Sequence, residues 1–107
     1  MNEPAAPPPN HVTLDVPESV AAGQYADFAG VWHTDDVFVF DFAALRSAPG
    51  PMQTAEGQVV NLIQGQVVAR VKMPPAQVWE LMKALNEQLA AWEAKTGRAY
   101  GQQPPAT

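Results

Sequence analysis

The chain contains no cysteine, which excludes disulfides, thiolate metal sites and cysteine nucleophiles together. Serine occurs only at positions 19 and 47 and histidine only at 11 and 33, too few and too scattered for a Ser–His–acid triad. No Gly-x-Ser-x-Gly elbow, no Gly-x-Gly-x-x-Gly run and no Walker-type loop is present. His33-Thr34-Asp35-Asp36 gathers several polar ligand types, but a metal centre needs at least three converging ligands, and no His-x-x-x-His or cysteine pair supports one. The segment reads as a solvated turn, and Asp35 and Asp36 read the same way when weighed as a catalytic carboxylate pair. The expectation is therefore a protein that is not an enzyme, with no catalytic residue, no cofactor and no bound metal.

Lysine and arginine are missing from the first 45 residues. Residues 1–45 carry −7 and residues 46–107 carry +2, within a total of −5. Duplex nucleic acid demands clustered bases that displace counterions, and only Arg70 and Lys72 lie close together, so duplex is not expected as a partner. No run of 18 apolar residues exists, so no transmembrane helix and no membrane partner are expected. Met1-Asn2-Glu3-Pro4 has neither the basic nor the apolar region of a signal peptide, which makes the cytoplasm the expected location.

What is present is proline, 11 in 107 residues. Six lie at positions 4, 7, 8, 9, 104 and 105, marking residues 1–10 and 98–107 as disordered tails around a single α+β domain over 11–97. Tyr100, within the second tail, has the size to fold back. So short a chain buries only about 60% of its unfolded surface. Eighteen alanines make up much of its 47% hydrophobic content, so one copy has a small core.

Alternation places half-buried strands at 11–16, where Val12, Leu14 and Val16 share a face, at 25–33 and at 37–42. Residues 25–33 have Phe28, Gly30 and Trp32 on their more apolar face. In 37–42, Phe38, Phe40 and Phe42 share one face while Val37, Val39 and Asp41 share the other, so both faces have reason to be covered. Thr34-Asp35-Asp36 supplies the turn that joins the two segments as a hairpin. Pro49, Gly50, Pro51 and Gly57 make 46–57 a loop. Residues 59–73 form either one long bent strand or, the preferred reading, a hairpin turning at Gly65. In that reading Val67, Ala69, Val71 and Met73 face inward, while Val68, Arg70 and Lys72 face out beside Asp27 or Asp41.

Pro74-Pro75 opens a helix and Gly97 stops it. Val78, Met82, Leu85, Leu89, Trp92 and Thr96 recur at spacings of 4, 3, 4, 3 and 4, a heptad-like seam that most often packs on the helix's own sheet. Trp79 lies off that seam and hints at a second contact surface. The expected fold class is α+β: an antiparallel sheet of four to five strands with one C-terminal helix packed on it, completed by dimerisation because the core is small and a sheet edge stays open.

Tyr25-Ala26-Asp27-Phe28, Val31-Trp32-His33, the 37–42 strand and Ala69-Arg70-Val71-Lys72-Met73-Pro74 follow one another in a characteristic order before the leucine-rich helix. In this the chain resembles the small prokaryotic family catalogued as domain of unknown function 3467, over roughly residues 14–97. Members of that family often carry Ser-Pro at the helix start. Pro74-Pro75 replaces it here, which removes a side-chain cap. The resemblance supports the fold and implies no activity.

The surplus of apolar faces beside a shortage of catalytic residue types leads to one expected function, a non-enzymatic oligomeric interaction module of the adaptor or chaperone-like kind. It would form a homodimer or higher homo-oligomer and hold a further protein partner. Candidate partner-binding residues are Trp32, Phe38, Phe40, Trp79, Arg70 and Lys72. The alternative is a single-stranded nucleic-acid-binding protein that uses Arg70, Lys72 and the sheet aromatics.

Overall fold

The computed structural model describes residues 6–100. The outer parts of the two expected tails, 1–5 and 101–107, lie outside the described residues. Residues 6–17 are exposed and in no regular structure, although 12–16 alternate as a strand does. Alternation creates a two-faced segment; a strand also needs a neighbouring edge to pair with, and this segment has none. A single helical turn, α1 (Glu18–Ala21), follows Pro17.

Five strands come next: β1 (Phe28–His33), β2 (Phe38–Leu45), β3 (Gly50–Gln53), β4 (Val59–Leu62) and β5 (Gly65–Met73). They form an antiparallel three-stranded sheet in the order β1-β2-β5 and an antiparallel pair, β3-β4. The C-terminal helix α2 (Pro75–Thr96) completes an α+β fold with the expected strand count.

The β1–β2 turn works as its residues indicate. The Thr34 hydroxyl accepts hydrogen bonds from the backbone N–H groups of Asp36 and Val37, and Thr34 N–H donates to the Val37 carbonyl. Residues 46–57 are not simply a loop. After Leu45 the chain runs on into β3, turns at 54–57 and returns as β4, so β2 and β3 form one arm of a long ribbon and β4 and β5 the other. The preferred hairpin at Gly65 is thereby corrected: β4 pairs with β3, β5 pairs with β2, and 59–73 is the long bent arm broken at Ile63-Gln64. The Arg46 N–H donating to the Gln64 carbonyl at 2.9 Å keeps the two arms together through the break.

A register shift between Phe42 and Ala43 moves Val67 to the opposite face from Ala69, Val71 and Met73. One face of the three-stranded sheet carries Phe28, Gly30, Trp32, Val39, Asp41, Ala43, Val67, Arg70 and Lys72; the other carries Ala29, Val31, His33, the three phenylalanines of β2, Ala69, Val71 and Met73. Among the described residues the only buried side chains are on the first face, Val39 (1% exposed) and Ala43 (5%). Trp32 and Lys72 flank Val39 in register, and Phe28 reaches across Ala43 to Gly65. A Cβ on Gly65 would stand 2.7 Å from the Phe28 ring, so glycine is what lets the ring lie down there.

The helix is the main departure from expectation. Within one chain α2 is not packed on the sheet: it has no buried residue, and substantial packing between elements is confined to the strand pairs. The seam residues that should touch the sheet are open, Leu85 at 61% and Met82 at 53%. The dimensions agree. A compact chain of this length has a radius of gyration of about 13 Å, whereas the projecting helix and the extended 6–17 segment together bring it here to 20.0 Å, with extents of 75 × 35 × 33 Å. Only Pro74, extended at φ −60° and ψ 142°, lies between β5 and the helix. No side chain caps the helix start, as the replacement of serine by proline requires.

Candidate functional site

The densest polar cluster spans all three strands of the main sheet. Asp41, on the middle strand, faces Gly30 on one side and Arg70 on the other. Arg70 donates to both carboxylate oxygens, Nε to Oδ1 at 2.6 Å and the terminal nitrogen to Oδ2 at 3.0 Å, in a bidentate fork. The Trp32 indole N–H donates to Oδ2 at 3.1 Å. The Trp32 ring centroid lies 5.6 Å from the Arg70 guanidinium carbon. The Arg70 guanidinium, and then the Trp32 N–H, hold the Asp41 carboxyl below its ordinary range, with burial opposing them. Asp41 in turn raises Arg70, chiefly through the same hydrogen bonds.

The cluster is a fixed ion pair carrying an aromatic lid, and Lys72 extends the same face by one register step. Chemically it can present a flat ring and a positive edge. Both Asp41 oxygens already accept hydrogen bonds, from Arg70 and from Trp32. A second carboxylate, Asp27, accepts the Leu45 N–H at 2.7 Å, and its hydrogen bond and charge raise the neighbouring Tyr25 hydroxyl. Among the described residues no group of three His, Asp or Glu side chains is placed to hold a metal ion.

The six candidate partner-binding residues divide among three surfaces. Trp32, Arg70 and Lys72 come together on the face just described. Phe38 and Phe40 lie on the opposite face, where Phe38 stacks on His33 with ring centroids 5.2 Å apart. Trp32 and the phenylalanines are on different faces because Trp32 pairs with Val39, which alternates with the phenylalanines along β2. Trp79 stands apart on α2, where it lines an open groove with Met82, Leu85 and Leu89.

Sequence reasoning missed the cluster at the end of α2. The Tyr100 N–H donates to the Glu93 carboxylate at 2.6 Å, its ring lies 5.8 Å from that of Trp92, and Arg98 lies over the other side of Trp92 at 5.9 Å. Tyr100 does fold back as its size suggested. The partner roles of Glu93 and Arg98 had no signal beyond proximity to Gly97.

With this geometry in place, the comparisons fix the family. The family described as "Protein of unknown function (DUF3467)" matches residues 1–99. The chain belongs to that family. No curated protein and no solved structure matches it. Membership in DUF3467 brings a shared sequence pattern and no assigned activity. Also, no helix of the described residues is long and apolar enough to cross a membrane.

Proposed function

We propose that this DUF3467 chain is a non-enzymatic interaction module that holds a polypeptide partner against its sheet, with Trp32 as the anchor. The observation that carries this reading is the amount of apolar surface the chain leaves uncovered, on both sheet faces and along α2, while among the described residues only Val39 and Ala43 are buried. Isolated apolar residues on a surface are ordinary; contiguous ones mark contact sites. On the Trp32 face the ring is 46% exposed between the Arg70 guanidinium and Lys72, with exposed Phe28 and Val67 two same-face positions further along the strands. A tryptophan next to an arginine is the composition of a protein-binding hot spot.

The test is capture from lysate by the purified chain and by Trp32→Ala, with captured proteins identified by mass spectrometry. The expected result is a defined set of proteins held by the parent and lost, by tenfold or more, from the variant, with the fold intact by circular dichroism. Equal capture by both would remove Trp32 from the role.

A second reading, single-stranded nucleic acid on the same face, draws on the Trp32 ring lying beside Arg70 and Lys72. Asp41 takes up the Arg70 charge, which leaves Lys72 alone to meet phosphates and makes the polypeptide reading the stronger. A gel shift with oligonucleotides at low salt separates the two.

A further inference from the structure

We propose that the phenylalanine face of the three-stranded sheet is covered by helix α2 of a second copy, in a reciprocal exchange that makes a homodimer. The inference rests on the reading above only in taking uncovered apolar surface for contact surface. It assigns the occupant of the face that Trp32 does not share.

The connection decides against coverage within one chain. A helix that folds back over the sheet it has just left needs a connection of about two to six residues. Here one residue, Pro74, separates Met73 from Pro75. A residue before proline is pushed to extended geometry, and both Met73 and Pro74 precede prolines. The joint therefore carries α2 onward from the end of β5. Short stiff joints of this kind favour exchange between copies.

The two surfaces match. The sheet face offers Val31, Phe40, Phe42, Val71 and Met73, and the helix offers Met82, Leu85, Leu89 and Trp92 in one stripe. Twenty-two helical residues span about 33 Å and the eight of β2 about 27 Å, so the helix covers the strand end to end. On the sheet face Val31 and Val71 are 57% and 43% exposed, and on the helix Met82, Leu85, Leu89 and Trp92 are 37–61% exposed. Both surfaces are thus open to an obligate interface, which takes roughly 1,000–2,500 Å² from each partner. Reciprocal exchange closes at two copies, leaving no unfilled helix or sheet face of this kind.

The test is mass by sedimentation equilibrium of the parent chain and of a variant with Gly-Ser-Gly-Ser inserted between Met73 and Pro74. The parent is expected to be a dimer at micromolar concentration. The longer joint lets α2 close on its own sheet, so the variant is expected to be a monomer with parent-like circular dichroism and tryptophan emission. A monomeric parent overturns the exchange while leaving Trp32-dependent capture standing. A variant that stays dimeric at the parent's affinity also overturns it and points to pairing through the helices alone. Should the insertion unfold the chain, Phe40→Asp decides: helix pairing alone would tolerate it, whereas exchange requires dimer affinity to fall at least tenfold.

Discussion

At Asp41 a carboxylate stands between Phe40 and Phe42 on the middle strand, and its environment explains why it is tolerated. Three donors meet its two oxygens, from Arg70 and Trp32, so little acceptor capacity is left unmet. The pairing was half legible in the sequence. Alternation in 59–73 put Arg70 and Lys72 on an outward face and left Asp27 or Asp41 as their acid; strand order chose Asp41. What alternation could not supply was the bulge, which inserts a residue without any proline or glycine to announce it and sends Val67 to the other face. The depressed acidity of Asp41 has a consequence for pH. Its folded-state pKa is lower than its unfolded one, so the pair contributes stability that is complete above the unfolded value, roughly pH 4. That contribution is lost as pH falls through the folded value. Asp41→Asn is expected to melt lower than the parent at pH 7, and the difference is expected to shrink steadily below about pH 4. Melting temperatures between pH 2 and 7 check this; a constant offset across that range would mean the carboxylate is not what stabilises the cluster.

Among the elements, the helix was the most legible and its packing the least. Pro75 at the start, Gly97 at the end and the seam between them gave its span nearly to the residue, because those signals act within one turn. Where a helix packs depends on the joint that aims it, and the Pro74-Pro75 pair reads as a boundary long before it reads as a direction. β4 was legible within the apolar run 59–73, but its partner β3 was hidden for another reason. It has no buried face, so it lacks the alternation that reveals a strand, and Pro49, Gly50 and Pro51 imitate a loop. Pro51 is tolerable because a two-stranded ribbon leaves half its backbone N–H groups unpaired anyway. The C-terminal stop of α2 is open to direct test. Gly97 adopts φ 74°, nothing lies within 4 Å of a Cβ added there, and its N–H closes the helix on the Glu93 carbonyl. The cost of Gly97→Ala is thus purely backbone strain, about 1 kcal/mol. It is expected to lower the melting temperature by roughly 4–8 °C and to weaken the Trp92–Tyr100 contact, read as a change in tryptophan emission. An unchanged melt would show that the left-handed turn is not retained in solution.

The molecule is elongated, and among its described residues two side chains are buried while large apolar ones lie outside. Covering apolar area contributes about 25 cal/mol per Å², and net stabilities are only about 5–15 kcal/mol, so the surface left open by one chain is large on the scale of its stability. If that surface is closed by a second copy, folding and association are one equilibrium, and stability depends on protein concentration by mass action. The melting temperature of the parent chain is therefore expected to rise by a few degrees for each tenfold increase in concentration, and the rise is expected to be absent from the variant with the lengthened joint, whose helix closes within its own chain. Differential scanning fluorimetry from about 1 to 100 µM measures both. Because each dimer unfolds to two free chains, the melt rises with concentration however tight the dimer is. A reversible parent melt independent of concentration, with dimer mass retained, would therefore mean that the uncovered faces contribute nothing to the fold's stability and are left to the polypeptide partner alone.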